Sequence, residues 1–370
     1  MTDSYPSAHF DSGNSGYIPD PVCGQRTRET FDNIWSVETD GDLQASPVVS
    51  DEIVVVGDMN GIVYGLNALD GRRHWRTDLD TPTVFASPTV ANGTVFVSGY
   101  DDLNRTNSTT VAVELATGAI QWTRDFGQGG RTPVATDSEH VYVQTDDGDC
   151  RALDVVTGET VWHRDGQRHN KMAALSDRSV VRKDGDSLVA IDTTRGSERW
   201  RANLDGRVLT LPVVDDGRVY VITGSSDQWC LDAETGELLW HIDIGTKIRE
   251  HPDTDDPLLP LGGAILDSKP VTDGESLLVG VYQGVVEIDA AAGQLQSYHP
   301  LGHRVSDPLL IGDKGGKRLY GHVNDGITEY QLTADAPSSL RSTVTDTVDA
   351  VPAYAAGVLY VSTELVPLQP

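Results

Sequence analysis

A glycine followed four residues later by tryptophan recurs along the chain, at Gly71–Trp75, Gly118–Trp122, Gly158–Trp162, Gly196–Trp200 and Gly236–Trp240. Gly293–Ser297 keeps the frame and lacks the ring. Four residues before each glycine stands Asn67, Glu114, Asp154, Asp192, Asp232 or Asp289. Successive glycines are 47, 40, 38, 40 and 57 residues apart. A period in this range marks an array of supersecondary units, none of which buries its apolar face alone.

Each copy reads as a hairpin. The glycine supplies a positive φ at the end of a short polar turn. The Asp or Asn before it can hold nearby backbone N–H groups. Apolar runs such as Ile53–Val56, Val95–Val97, Val141–Val143 and Val219–Ile222 flank the turns, and helical periodicity is nearly absent. The units are therefore small antiparallel sheets, and each tryptophan is expected to cover a face packed on the next sheet.

Prolines give the count independently. Pro47, Pro88, Pro133, Pro212, Pro270, Pro308 and Pro352 open the first strand of seven units, and Ala173 takes that place in one more. Proline is tolerated there because no ladder donor is lost. Ile34-Trp35-Ser36-Val37 looks like a closing strand with no unit before it, and residues 351–370 look like opening strands with no closing one. Joining the two ends gives an all-β, eight-bladed β-propeller of four-stranded antiparallel blades, closed where the N-terminal strand completes the C-terminal blade. The expected organisation is a lead-in over residues 1–30 and one propeller over 31–370.

The Asp-x-x-Thr-Gly-x-x-x-Trp copies, fullest at Leu153–Trp162 and Leu231–Trp240, and the Ser-Pro strand openers resemble the pyrroloquinoline-quinone-type (PQQ-like) β-propeller repeat family. The cofactor-free branch, which includes the outer-membrane assembly lipoprotein of bacteria, looks closest. The stretch His9–Asp20 is similar to the lead-in of haloarchaeal members. The resemblance implies a non-catalytic interaction scaffold whose protein or peptide partner meets one ring face. The quinone-dependent dehydrogenases of the wider family carry adjacent cysteines over the quinone, and this chain has Cys23, Cys150 and Cys230, widely spaced. No cofactor and no catalytic residue is therefore expected. A dehydrogenase-like enzyme and a sugar- or small-ligand-binding propeller stay open as alternatives.

Charge bears on solvent and partners. Acidic residues number 56 and basic ones 28, a net charge of −28; aspartate outnumbers glutamate 42 to 14, and only six lysines stand beside 22 arginines. Such a surface repels phosphates and anionic lipid, which argues against nucleic acid as a partner. It suits molar salt, where the screening length falls to about 3 Å. A halophilic source and a monomer are expected. Residues 1–20 are polar and no apolar run of about 18 residues occurs, so membrane insertion is not expected. A cytoplasmic location is expected from the chain as written, or the cell surface if the true start lies upstream.

Candidate sites follow from position. Residues just before the opening prolines should lie near one mouth of the channel, and Arg131, Arg168, His169 and Lys171 make a basic cluster there, with Asp267 nearby. The longest insertion, residues 245–263, carries Lys247, Arg249 and His251 and is a candidate contact loop. Asp253, Asp255 and Asp256 have the alternate carboxylates that calcium favours but lack the glycine and distal glutamate of an EF-hand. Trp229, outside the repeat frame, is a stacking platform or a packed strand residue. His163 and His241, each following a repeat tryptophan, read as strand-edge surface residues. Trp35, Trp75, Trp122, Trp162, Trp200 and Trp240, with Gly71, Gly118, Gly158, Gly196, Gly236 and Gly293, read as structural.

Overall fold

The computed structural model describes residues 11, 15, 17–19, 34–80, 87–100, 108–127, 135–145, 148–166, 174–224, 227–250, 269–281, 284–301, 305–313, 316–323, 326–332, 338–343, 347–348, 353–355, 358–361 and 363–364. Within them the chain winds sheet after sheet as antiparallel meanders. Blade 1 comprises Val48–Ser50, Ile53–Gly57, Ile62–Asn67 and Arg73–Asp78. Blade 2 comprises Thr89–Ala91, Thr94–Tyr100, Ser108–Glu114 and Ile120–Asp125. Blade 3 comprises Ala135–Thr136, His140–Gln144, Cys150–Asp154 and Thr160–Arg164. Blade 4 runs from Ala174–Ser176 to Glu198–Asn203, blade 5 from Val213–Asp215 to Leu238–Asp243, and blade 6 from Val271–Thr272 to Leu295–Pro300. Blade 7 runs from Ser306–Asp313 to Ser338–Thr343 and carries an added strand, Tyr17–Pro19. Beyond it lie two short ladders, Ala353–Ala355 with Val358–Tyr360 and Thr347–Val348 with Thr363–Glu364.

The first strands of successive blades lie against one another, so they line the centre of a propeller. Val48–Ser50 also packs on Ala353–Ala355, which brings the last described sheets back to the first. Hairpins between strands one and two and between strands three and four fall on the same face, here called the turn face; in blade 1, Ala68 N donates to Glu52 O across the two turns. The other, connection face carries the links between blades. Pro47, Pro88, Pro212 and Pro270 directly precede inner strands, and Pro308 sits at a register shift within one.

The repeat resolves into one interlock used six times. The outer-strand tryptophan of a blade donates its indole N–H to a turn carbonyl of the next: Trp75 to Leu115 O at 2.7 Å, Trp122 to Val155 O at 3.2 Å, Trp162 to Thr193 O at 2.7 Å, Trp200 to Ala233 O at 3.0 Å and Trp240 to Ala290 O at 3.1 Å. The same ring lies on the glycine that ends that turn. At Gly158 (φ +68°) an added Cβ would stand 2.6 Å from Trp122 Cδ2. The glycine is thus required twice, by its backbone and by its neighbour's ring. Inside the turn, Asp232 Oδ1 accepts from Glu234 N at 3.0 Å and Thr235 N at 2.8 Å, and Gly236 N donates to Asp232 O at 2.8 Å. Truncating one such ring costs about 3–5 kcal/mol.

Ring closure uses the same device. Trp35 donates to Ala68 O at 3.1 Å, lies on Gly71, and packs on Tyr360 at 5.9 Å between centroids, while Tyr360 OH donates to the same carbonyl at 3.1 Å. Residues 34–38 supply this ring without ladder bonds among the described residues, so packing carries the seam. Part of the lead-in is also built into the ring. Tyr17, Ile18 and Pro19 pair in parallel with Leu310, Ile311 and Gly312, on the channel side of blade 7. Ile18 is buried in one cluster with Val49, Tyr64, Tyr320 and Tyr354, spanning both ends of the chain.

The insertion after blade 5 differs from the loop read in the sequence at its start, where Ile244–Glu250 is a short helix. Asp243 caps it, accepting from Thr246 N at 3.1 Å and Thr246 Oγ1 at 2.6 Å. Ile244 and Ile248, one turn apart, bury into the core between blades 5 and 6.

Candidate functional site

The turn face carries the described concavity. A cleft of about 410 Å³ opens between blades 3 and 4 and is lined by Asp137, Glu139, His140, Asp177, Arg178 and Arg195, among others. These residues come from the first hairpin of each blade and the last turn of blade 4, elements whose backbones the interlock fixes. Asp137 Oδ1 accepts from Glu139 N at 2.8 Å and His140 N at 2.7 Å, and its other oxygen accepts from Tyr142 OH. Burial, followed by that bond, pushes the Tyr142 phenol far above its ordinary value, so it stays a donor. The lining mixes both charge signs with hydroxyls and has little apolar wall, which suits a polar peptide surface better than a flat apolar ring.

One cluster has ligand atoms of a kind a divalent transition metal accepts. Cross-strand pairing of Arg151 with His163 brings the flanking Asp149 and Asp165 together, and the His163 Nε2 lies 2.9 Å from Asp149 Oδ2 and 3.4 Å from Asp165 Oδ1. Arg151 Nη2 already stands 3.3 Å from the same Asp149 oxygen. Blade 5 repeats the pattern with His241 Nε2 2.7 Å from Asp227 Oδ1, but there Asp243 is held by the helix cap. Both histidines therefore sit at strand edges beside carboxylates. Trp229 stacks on His241 at 4.1 Å and donates to Thr223 Oγ1 at 2.7 Å, which makes it a packed strand residue.

Lys247 and Arg249 project from the short helix on the connection face and are engaged within it: Lys247 Nζ lies 2.7 Å from Glu250 Oε2, and Arg249 Nη2 donates to Thr246 Oγ1 at 2.9 Å. Arg131, Arg168, His169, Lys171, Asp267, His251, Asp253, Asp255 and Asp256 lie outside the described residues.

Sequence reasoning passed over several buried polar groups. Asp58 is fully buried and accepts from Gly41 N, Asn60 N, Ile62 N and Tyr64 OH at 2.9–3.0 Å, tying the approach segment to blade 1. Arg182 is 1% exposed and donates to Gly148 O at 2.7 Å, bridging blades 3 and 4. The only signal for either was a charge beside or within an apolar strand run. Cys150 and Cys230 are buried, and desolvation pushes their thiols up to about 11 and about 12. Both are packing residues rather than nucleophiles.

Comparison with known proteins bears on what such a ring does. The sequence profile described as outer membrane protein assembly factor BamB, of the PQQ-like repeat class, matches residues 27–110, 103–179 and 168–317. The chain belongs to the BamB family. The assembly factor BamB of Yersinia pestis is 28% identical over 270 residues, which is 68% of this chain and 62% of that protein. The chain thus aligns with less than two thirds of that relative's length. Among solved structures, BamB from Moraxella catarrhalis superposes with a TM-score of 0.56 at 20% identity, covering 83% of this chain and 84% of that one. A europium-containing methanol dehydrogenase superposes with a TM-score of 0.71 at 12% identity, covering 96% and 88%. At such identities both likenesses show the multi-bladed propeller and nothing of its chemistry.

The relatives correct one expectation. They are named for the assembly of outer membrane proteins, which points away from a cytoplasmic location. The cytoplasmic reading came from not seeing a leader, and an absence carries no address. No helix among the described residues is long and apolar enough to cross a membrane.

Proposed function

We propose that this BamB-family ring is a non-catalytic scaffold that holds a protein partner on one of its faces, in the service of assembling envelope proteins. The observation that carries this reading is the match of the BamB profile across residues 27–317, together with relatives that are named outer membrane protein assembly factors. The turn face supports it physically: it is a rigid surface set by repeated interlocks, with a mixed-charge cleft between blades 3 and 4 that suits polar side chains of a protein. The net charge of −28 adds the finer proposal of a molar-salt environment, in which that surface is screened and contacts rest on hydrogen bonds and apolar burial.

Deletion of the gene followed by quantitative proteomics of the cell envelope tests the reading. Lower levels of a set of envelope proteins, restored by the wild-type gene, are expected. An unchanged envelope proteome would overturn it. Titration of the purified protein with pyrroloquinoline quinone and calcium, read by tryptophan fluorescence and dye reduction, addresses the dehydrogenase alternative; saturable quenching with turnover would replace the scaffold with an enzyme.

A further inference from the structure

The lead-in is seated in an unusual place. Tyr17–Pro19 forms a fifth strand on the channel side of blade 7, while the sheets of blades 1–6 have four strands each among the described residues. Its described residues meet three blades. Asp11 lies in the field of Asp215 at the end of the blade 5 inner strand, Thr272 N of blade 6 donates to Ser15 O at 3.0 Å, and Tyr17–Pro19 completes the run on blade 7.

Three properties make this contact suited to exchange. It is led by the main chain: a three-residue parallel ladder and the Thr272–Ser15 bond set the register without reading side chains, which is how a sheet edge accepts an added strand. Its side-chain content is small and definable. Ile18 is 1% exposed, and the Tyr17 hydroxyl donates to Gly312 O. Finally, it is opposed by charge. Asp11, whose carboxylate accepts from Ser15 N at 2.9 Å and from Ser15 Oγ, adds like charge near the half-buried Asp215, whose carboxyl is pushed upward first by burial and then by Asp11, with Thr272 Oγ1 donating to it at 3.4 Å; the neighbouring Arg218 is turned to Asp216 at 2.8 Å. A partner strand without a carboxylate there would add no like charge near Asp215.

We propose that the channel-side edge of blade 7 is a strand-acceptor site, that residues 15–19 are its tethered resident, and that an extended segment of a protein partner takes the same parallel register when the resident leaves. The partner segment is expected to present an aliphatic side chain where Ile18 now sits. This deepens the scaffold reading and rests on it for the identity of the occupant as a protein.

The test uses the full chain and a fluorescein-labelled peptide of the sequence of residues 9–20, His-Phe-Asp-Ser-Gly-Asn-Ser-Gly-Tyr-Ile-Pro-Asp, followed by anisotropy. In the wild-type chain the tethered resident competes at high effective concentration, so binding in trans is weak. Ile18→Asp in the chain should release the resident and tighten peptide binding by about tenfold or more, and Tyr17→Phe, which removes only the hydroxyl bond, by about threefold. A control peptide with Asp at the place of Ile18 should not bind. Equal affinity for all three chains, equal affinity for both peptides, or no saturable binding to variants with wild-type near-UV dichroism would overturn the proposal. Should Ile18→Asp fail to fold, Tyr17→Phe decides alone. Because the measurement uses only purified chain and peptide, its failure is separate from a failed envelope phenotype.

Discussion

Gly158 and Gly217 share a backbone conformation, with φ of +68° and +71°, and differ in what a side chain would meet. At Gly158 an added Cβ stands 2.6–3.0 Å from three atoms of the Trp122 ring; at Gly217 nothing lies within 4 Å. Alanine at Gly217 therefore costs only the left-handed conformation, about 1–2 kcal/mol. Alanine at Gly158 costs the same and must also displace Trp122. Overpacking of that kind adds about 1–3 kcal/mol, and weakening the indole bond to Val155 O adds about 0.5–1.5 kcal/mol. The expected losses are roughly 2.5–6.5 kcal/mol for Gly158→Ala and about 1–2 kcal/mol for Gly217→Ala. Equilibrium urea unfolding of both variants, read by tryptophan fluorescence and near-UV dichroism, measures the difference. Equal destabilisation would refute the claim that these glycines are selected by the neighbouring blade's ring.

Other consequences can be checked alongside. Asp232 is held below the ordinary carboxyl value chiefly by the Thr235 N–H, so its contribution is present at neutral pH and fades as pH drops from about 4; Asp232→Ala should cost about 1 kcal/mol at pH 7 and almost nothing in acid, by urea titration at the two pH values. Asp215 has the opposite sign: its raised carboxyl penalises the charged form, so Asp215→Asn should raise the melting temperature at neutral pH and leave it unchanged well below pH 4. Cys150 and Cys230 should resist iodoacetamide at pH 8 in the folded protein and both react in urea, by peptide mass mapping. Dialysis from molar to millimolar salt should abolish near-UV dichroism, because −28 is then unscreened; an unchanged spectrum would contradict the salt-adapted reading.

Much of the blade architecture was legible because a glycine, a tryptophan and a proline each have one narrow structural use, and their spacing repeats. What the spacing did not disclose was direction. Gly158 and Trp162 lie four residues apart, yet Trp162 serves Gly196 and Gly158 receives Trp122, so the motif joins three blades and not one hairpin. The strand Tyr17–Pro19 was read as part of a motif rather than as an element, since three residues carry no period and the pairing partner is almost 300 residues away. The helix Ile244–Glu250 stands where the long insertion suggests loop, and Asp243 with Thr246 three residues on and the pair Ile244 and Ile248 are its cap and its buried face. The candidate residues Arg131, Arg168, His169, Lys171 and Asp267, taken from positions near the opening prolines, lie outside the described residues. The described cleft lies on the turn face, where Asp137, His140 and Arg178 carry no motif and come together only through the packing of blade 3 on blade 4.

The claim that this ring works by holding a protein is tested most directly by photo-cross-linking in the cells of origin. Benzoyl-phenylalanine placed at Glu139, Asp177 or Thr194 samples the turn face around the cleft, and at Lys247 or Arg249 the connection face. The account predicts that neighbouring positions on one face capture the same protein, identified by mass spectrometry, while positions on the opposite face do not. Absence of a protein adduct from every position on both faces, with each variant folded and present at wild-type level, would contradict it.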